Sequence, residues 1–208
     1  MGQAPCVVSV AEHAGWGHIV CVGARGAVPT VVDRKRVALI DAALPTQPYH
    51  HESMSMTEDE ANALIVRVRQ SIAARASEAL QRLVAELAPA YTVVALAIRK
   101  APFPELPETV ASVWGSRLLY SADGMLYQMA ICGAARQLGL RLHIYPRGQE
   151  TSLAAQQLGV TPAALEHFVG HNGRPAGPPW RQEHRRAYAA GIGTLAAHVR
   201  GRLRIPTL

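Results

Sequence analysis

Cysteine is scarce: Cys6, Cys21 and Cys132 are the only three in 208 residues, odd in number, far apart and set among apolar neighbours. They are read as buried, reduced thiols, which excludes a disulfide framework and a cysteine-rich zinc module. No apolar run approaches the ~20 residues needed to cross a bilayer, so no membrane association is expected. Met1 to Pro5 carry no basic region and the apolar stretch behind them breaks at Glu12, which disfavours a signal peptide and makes the cytoplasm the expected location. No internal repeat suggests an array. No complete catalytic or cofactor motif is present either. Gly15-Trp16-Gly17 is too short to cradle a phosphate, and Gly23-Ala24-Arg25-Gly26 joins two strands of antiparallel character, the wrong setting for a dinucleotide loop.

Acidic residues are nearly missing from the end of the chain. Residues 174–208 hold seven arginines (Arg174, Arg181, Arg185, Arg186, Arg200, Arg202 and Arg204) against the single acid Glu183, so the whole net charge of +6 sits there. Arginine suits bidentate contact with phosphate or carboxylate. Arg181, Arg185 and Arg186 are therefore the candidate nucleic-acid contacts, set against a plain solvated helix face. Aromatic residues for base stacking are sparse in that segment.

What is there is an order of elements. Residues 6–12 form a short apolar run closed by Glu12, consistent with a central strand buried on both faces. A turn at 15–17 leads to a second strand at 18–23. A third covers 30–32 and resumes at 36–40, with a turn or bulge at the charged Asp33-Arg34-Lys35. Such short turns favour antiparallel neighbours. Residues 42–56 read as a loop. Thr57-Glu58-Asp59-Glu60 is a capping-box signal, and the apolar spacing from Ala61 to Leu87 predicts one long core-facing helix ending near Pro89. A buried strand at 92–98, a proline-rich loop at 99–107, a short helical piece at 110–114, a helix over 122–138 and a strand at 141–145 follow. A helical hairpin over 152–168 has the spacing of a helix-turn-helix, but its second helix aims no arginine, lysine or asparagine at a base. The small-residue run 187–193 belongs to a terminal helix.

Alternating strands and crossover helices in the second half demand parallel pairing, whereas the first half is a meander. The prediction is one α/β domain over 1–208, with a mixed five-stranded sheet at about 5–150, helices on both faces, and a helical segment at about 151–208. This order resembles the ribonuclease H-like fold. The C-terminal third, with Gly177 to His184 leading into the terminal helix, is loosely similar to Holliday-junction resolvases and related nucleases. The resemblance implies acids that bind Mg2+ above the first and fourth strands and activate water against a phosphodiester. On this sequence Glu12 takes the first-strand position and Glu183 or His184 the terminal-helix position. The fourth strand ends Ile98-Arg99-Lys100 where a carboxylate is expected, so Asp123 or Glu150 would have to replace it. The expected catalytic set is Glu12, Asp123, Glu183 and His184, with Glu12, Asp123 and Glu183 as metal ligands.

Ordinary structural roles stand beside these. Glu12 is positioned to pair with Arg99, and Asp123 to cap its own helix after Ser121. Arg99 and Lys100 would repel metal and could instead hold an anion. His50-His51-Glu52 and His13 with His18 are clusters without the spacing of a helical zinc site. Three functions are thus carried forward: a nucleic-acid-associated protein with metal-dependent nuclease chemistry, a non-catalytic binding or assembly protein of the same fold, and a small-molecule or phosphate-ester enzyme using Glu12, Asp123 and Arg99. A homo-oligomer is left open.

Overall fold

The computed structural model describes residues 2–200 and 202–206; Met1, Gly201, Thr207 and Leu208, which belong to the expected 1–208 span, lie outside the described residues. Among the described residues, five strands and five α-helices follow in the order β1 (Ala4–His13), β2 (Trp16–Arg25), β3 (Val28–Ala38), α1 (Glu58–Leu87), β4 (Tyr91–Arg99), α2 (Leu119–Gln137), β5 (Arg141–Tyr145), α3 (Glu150–Leu158), α4 (Pro162–Asn172) and α5 (Gln182–Val199). Short 3-10 turns occupy Glu52–Ser55 and Arg174–Ala176.

The strands form one sheet in the order β3-β2-β1-β4-β5. β1–β2 and β2–β3 are antiparallel, and β1–β4 and β4–β5 are parallel, as the element order required. The carboxyl ends of β1, β4 and β5 therefore share one edge of the sheet, where β2 begins.

Strand alternation sends the residues of β1 to opposite faces. Cys6, Val8 and Val10 join Ile19, Cys21, Leu96 and Ile98 against the apolar stripes of α1 and α2. Val7, Val20, Val22, Ala95 and Ala97 pack instead against Tyr188, Ile192 and Leu195 of α5, with α3 and α4 beside it. Each fully buried aliphatic side chain contributes about 1.5–3 kcal/mol. α5 lies very close to the sheet: a Cβ on Gly191 would sit 2.4 Å from Val22 Cγ2.

Local chemistry sets the boundaries. Thr57 caps α1 through a reciprocal box, its amide donating to Glu60 Oε2 at 2.9 Å while its hydroxyl accepts from the Glu60 amide at 3.4 Å. The interruption expected in β3 is a bulge within one continuous strand: Cys21 pairs with Asp33 and Val22 with Val31, leaving Val32 extra. The strand ends at Ala38, and Leu39 and Ile40 turn into the core. Residues 110–114 form a turn that buries Val110 and Val113, with the Trp114 amide donating to the Val110 carbonyl at 3.0 Å. α2 begins earlier than expected, at Leu119, with no side-chain cap at Leu118; in the turn that leads into it Ser116 Oγ accepts from the Leu118 amide at 3.1 Å. Gly159, at φ 67°, makes the tight turn between α3 and α4, whose Ala154, Ala155, Leu165 and Phe168 are buried.

Candidate functional site

Glu12 sits at the carboxyl end of β1 and continues the Cys6, Val8, Val10 series toward α2. Its Oε1 accepts from the Arg99 guanidinium Nε and from Gln128 Nε2, the latter at 2.6 Å. The side chain is only 1% exposed, against 32% for Arg99. Its second oxygen is buried without a hydrogen-bond partner among the described residues. The first-strand acid is thus engaged by a cation from the very strand expected to supply its carboxylate partner.

Asp123 lies one turn inside α2 and does not cap that helix. Its two oxygens accept from the backbone amides of Tyr49 and His50, at 2.9 and 3.2 Å, tying down the loop that precedes α1. Burial pushes its carboxyl above the usual aspartate value, with those two amides opposing. Glu12 and Asp123 line one cleft of about 350 Å³ with His13, His50, Arg99, Tyr120 and Arg147, so the structure brings them to the same end of the sheet.

Glu183 and His184 occupy the first turn of α5, on the other face of the sheet from Glu12. They meet His18 of β2, which continues the Val20 and Val22 series: His18 Nε2 is 3.7 Å from Glu183 Oε1, and the His18 and His184 rings are 4.0 Å apart. Burial, and after it the neighbouring His184, pull the His18 imidazole down to about 4 against the opposing Glu183 carboxylate. Burial and then Arg34 lower His184. Burial raises Glu183, but its own backbone amide and the three imidazoles of His184, His18 and His13 outweigh it, leaving the carboxyl below its usual value. This corner is held by the loop before α5. Arg34 donates to the Pro178 carbonyl at 3.1 Å and also to the Pro179 carbonyl, and Trp180 Nε1 donates to the Val169 carbonyl at 2.9 Å.

Glu150 opens α3, buried, beside a cleft of about 440 Å³ that Arg185 and Arg186 also line. Tyr145, at the end of β5, has its phenol pushed up by burial and then by Glu150 and Glu12. Arg181, Arg185 and Arg186 are all exposed within one turn of the α5 N-terminus.

Three side chains, Gln128, His167 and His171, escaped the sequence reading, and His18, paired there with His13, was not linked to α5. Gln128 is buried in a helix whose pattern looks like plain core. His18 joins Glu183 and His184 only through the alternation of β2. His167 and His171, one turn apart on α4, stack at 4.2 Å; their four-residue spacing was visible.

Magnesium requires several oxygen ligands. Among the described residues, the group able to share one ion is His18, Glu183 and His184, with donor atoms within 4.8 Å of one another. That set offers one carboxylate and two imidazoles, a softer donor set than magnesium takes. His184 Nδ1 already accepts the Arg181 amide hydrogen at 3.2 Å, whereas a metal-bound histidine donates through its second nitrogen. With Glu12 held by Arg99 and Asp123 by backbone amides, these residues do not fit a magnesium centre.

No protein-family model matches the chain, and no curated protein matches it by sequence. Among solved structures it is similar to Thermus thermophilus RuvC, at 14% identity and a TM-score of 0.51, covering 96% of this chain and 98% of that one. It is also similar to T. thermophilus RuvC in complex with a Holliday junction substrate, at 15% identity and a TM-score of 0.50, covering 94% of this chain and 96% of that one. At such identity the likeness shows the fold: the chain has the ribonuclease H-like fold. No helix among the described residues is long and apolar enough to cross a membrane.

Proposed function

We propose that this chain, taken as a single domain, is a nucleic-acid-associated protein of the ribonuclease H-like fold that holds a phosphodiester backbone without a two-magnesium centre. The observation that carries the reading is the Glu12–Arg99 contact, reinforced by Gln128. A buried carboxylate already engaged by a guanidinium has little charge left for a metal, and releasing it would leave Glu12 a desolvated ion with Gln128 as its remaining donor.

Two features support nucleic acid as the partner. Arg181, the N-cap of α5, and Arg185 and Arg186 soon after it stand near the positive end of the helix dipole with the single acid Glu183, so an anion bound there relieves their repulsion. The solved relative in complex with a Holliday junction substrate shares the fold, which makes branched DNA a natural first ligand to try. The cleft that gathers Glu12, Arg99 and Asp123 favours one second reading, a small phosphate-ester enzyme.

The test is fluorescence anisotropy of labelled single-stranded, duplex and four-way DNA and RNA across a salt series, with parallel cleavage assays in magnesium and manganese. The reading expects affinity that falls steeply with salt and no metal-dependent cleavage. Cleavage that disappears in Glu12→Gln would make Glu12 catalytic and overturn it. The absence of salt-sensitive binding would remove nucleic acid as the partner, and turnover of a chromogenic phosphate ester would then select the second reading.

A further inference from the structure

Tyr120 is 82% exposed, far more than any other large apolar or aromatic side chain of the chain among the described residues. It stands on the first turn of α2 at the edge where β1, β4 and β5 end. One helical turn further on is Gly124, and one more is Gln128, so the three share a face of α2. Tyr120, Gly124 and Gln128 line a cleft of about 280 Å³ together with Arg99, Lys100 and Arg147. Tyr120, Gly124, Arg99 and Arg147 also line the neighbouring cleft of about 350 Å³ that reaches Glu12 and His50. The two hollows meet around one tyrosine and one glycine.

Gly124 has no packing reason. A Cβ built there meets no heavy atom within 4 Å, and its φ is not in the left-handed region. Glycine inside a helix costs about 1 kcal/mol relative to alanine. Here the missing side chain leaves bare backbone beside an exposed ring. The charges around it are also unspent. Arg99 is tied to Glu12, but Lys100 and Arg147 are exposed and make no ion pair among the described residues.

We infer that Tyr120 and Gly124 form a slot for one unpaired base of a single-stranded nucleic acid, with Lys100 and Arg147 holding the phosphates on either side. The slot rests on the nucleic-acid reading above and specifies where and in what form the strand is held. Stacking on an aromatic face accepts any base, and cations along the strand supply affinity without sequence. A base in a duplex has both faces covered by its neighbours and cannot enter. The slot therefore selects single strands, frayed ends or the unpaired positions of a junction.

The probe is a fluorescein-labelled oligothymidylate, compared with a blunt duplex of the same length, by anisotropy over a salt series. Tyr120→Ala is expected to weaken single-strand binding by about 5- to 150-fold, Tyr120→Phe to retain it, and both to leave duplex binding unchanged. Gly124→Leu should fill the slot and weaken single-strand binding while the melting temperature holds or rises. Lys100→Gln and Arg147→Gln should each lower the magnitude of the salt slope by about 0.7. Single-strand affinity unchanged in both Tyr120→Ala and Gly124→Leu, with wild-type binding intact, would overturn the slot while leaving the nucleic-acid reading standing. A wild-type chain that binds neither probe would overturn both.

Discussion

Removing Arg99 leaves Glu12 as a carboxylate buried in the sheet with Gln128 as its remaining donor. Breaking a buried ion pair from one side costs about 3–5 kcal/mol. The Arg99 side chain is 32% exposed, so water can partly replace it, and about 2–3 kcal/mol is the better expectation for Arg99→Met. For a chain of this length that corresponds to a fall in Tm of roughly 4–12 °C. The double variant Glu12→Met with Arg99→Met removes both charges and the buried oxygen that has no partner. It should recover to within about 1 kcal/mol of the parent, the residue being the acceptor that Gln128 loses. Urea denaturation of the parent, both single variants and the double variant closes the cycle. A coupling energy below about 0.5 kcal/mol would refute the claim that the pair, rather than each residue separately, closes this end of the sheet.

Asp123 supplies a pH dependence. Its folded-state value is raised by burial, so between the unfolded and folded values the native chain binds more protons, and stability falls as pH rises through that window and is flat above it. Asp123→Asn should flatten that part of the curve at the cost of one backbone hydrogen bond; parallel melting curves against pH for parent and variant would contradict this. Gly173→Ala places a Cβ 1.8 Å from Trp180 Cζ2 and must expel the indole, with a loss of about 1–3 kcal/mol and a red shift in tryptophan emission. An unchanged emission spectrum would argue against the packing described. Thr57→Ala removes the hydroxyl half of the α1 cap and should cost about 1 kcal/mol in urea melts, with little change on replacing Thr57 by serine.

Strand order and pairing direction were legible because they follow from local signals: apolar runs that must be buried on both faces, turns too short for anything but a hairpin, and a capping box before an uninterrupted apolar stripe. The site was legible in part. Arg99 could be named as a partner for Glu12 because both end neighbouring strands. Gln128 could not, since it lies 116 residues from Glu12 and nothing in its own neighbourhood marks it as other than a helix residue. Asp123 carries the same lesson. A carboxylate near the start of a helix looks like a cap, whereas its partners are amides 74 and 73 residues away, fixed only once the loop before α1 has folded over α2. The separation of Glu12 from Glu183 came from parity along β1 and β2, which becomes decisive only when the faces are assigned. The bulge at Val32 was placed to within a residue because charge in mid-strand seldom continues a regular ladder.

That bulge bears on how copies of this chain behave in concentrated solution. β3 is a rim of the sheet, and a rim strand invites another strand to zip onto it. Here the invitation is withdrawn twice: Val32 breaks the regular spacing of the ladder, and beyond Asp33 the strand carries Arg34 and Arg36 on either side of Lys35, which pairs with Asp33 and Glu86. At the opposite rim β5 is only five residues long, too short a template to seed a stack. A second chain approaching rim to rim would have to press like charges together over an irregular ladder. Colloidal stability is thus written into the outermost strands of the sheet, and high salt or charge-neutral replacements at Arg34 to Arg36 are the conditions under which it would fail.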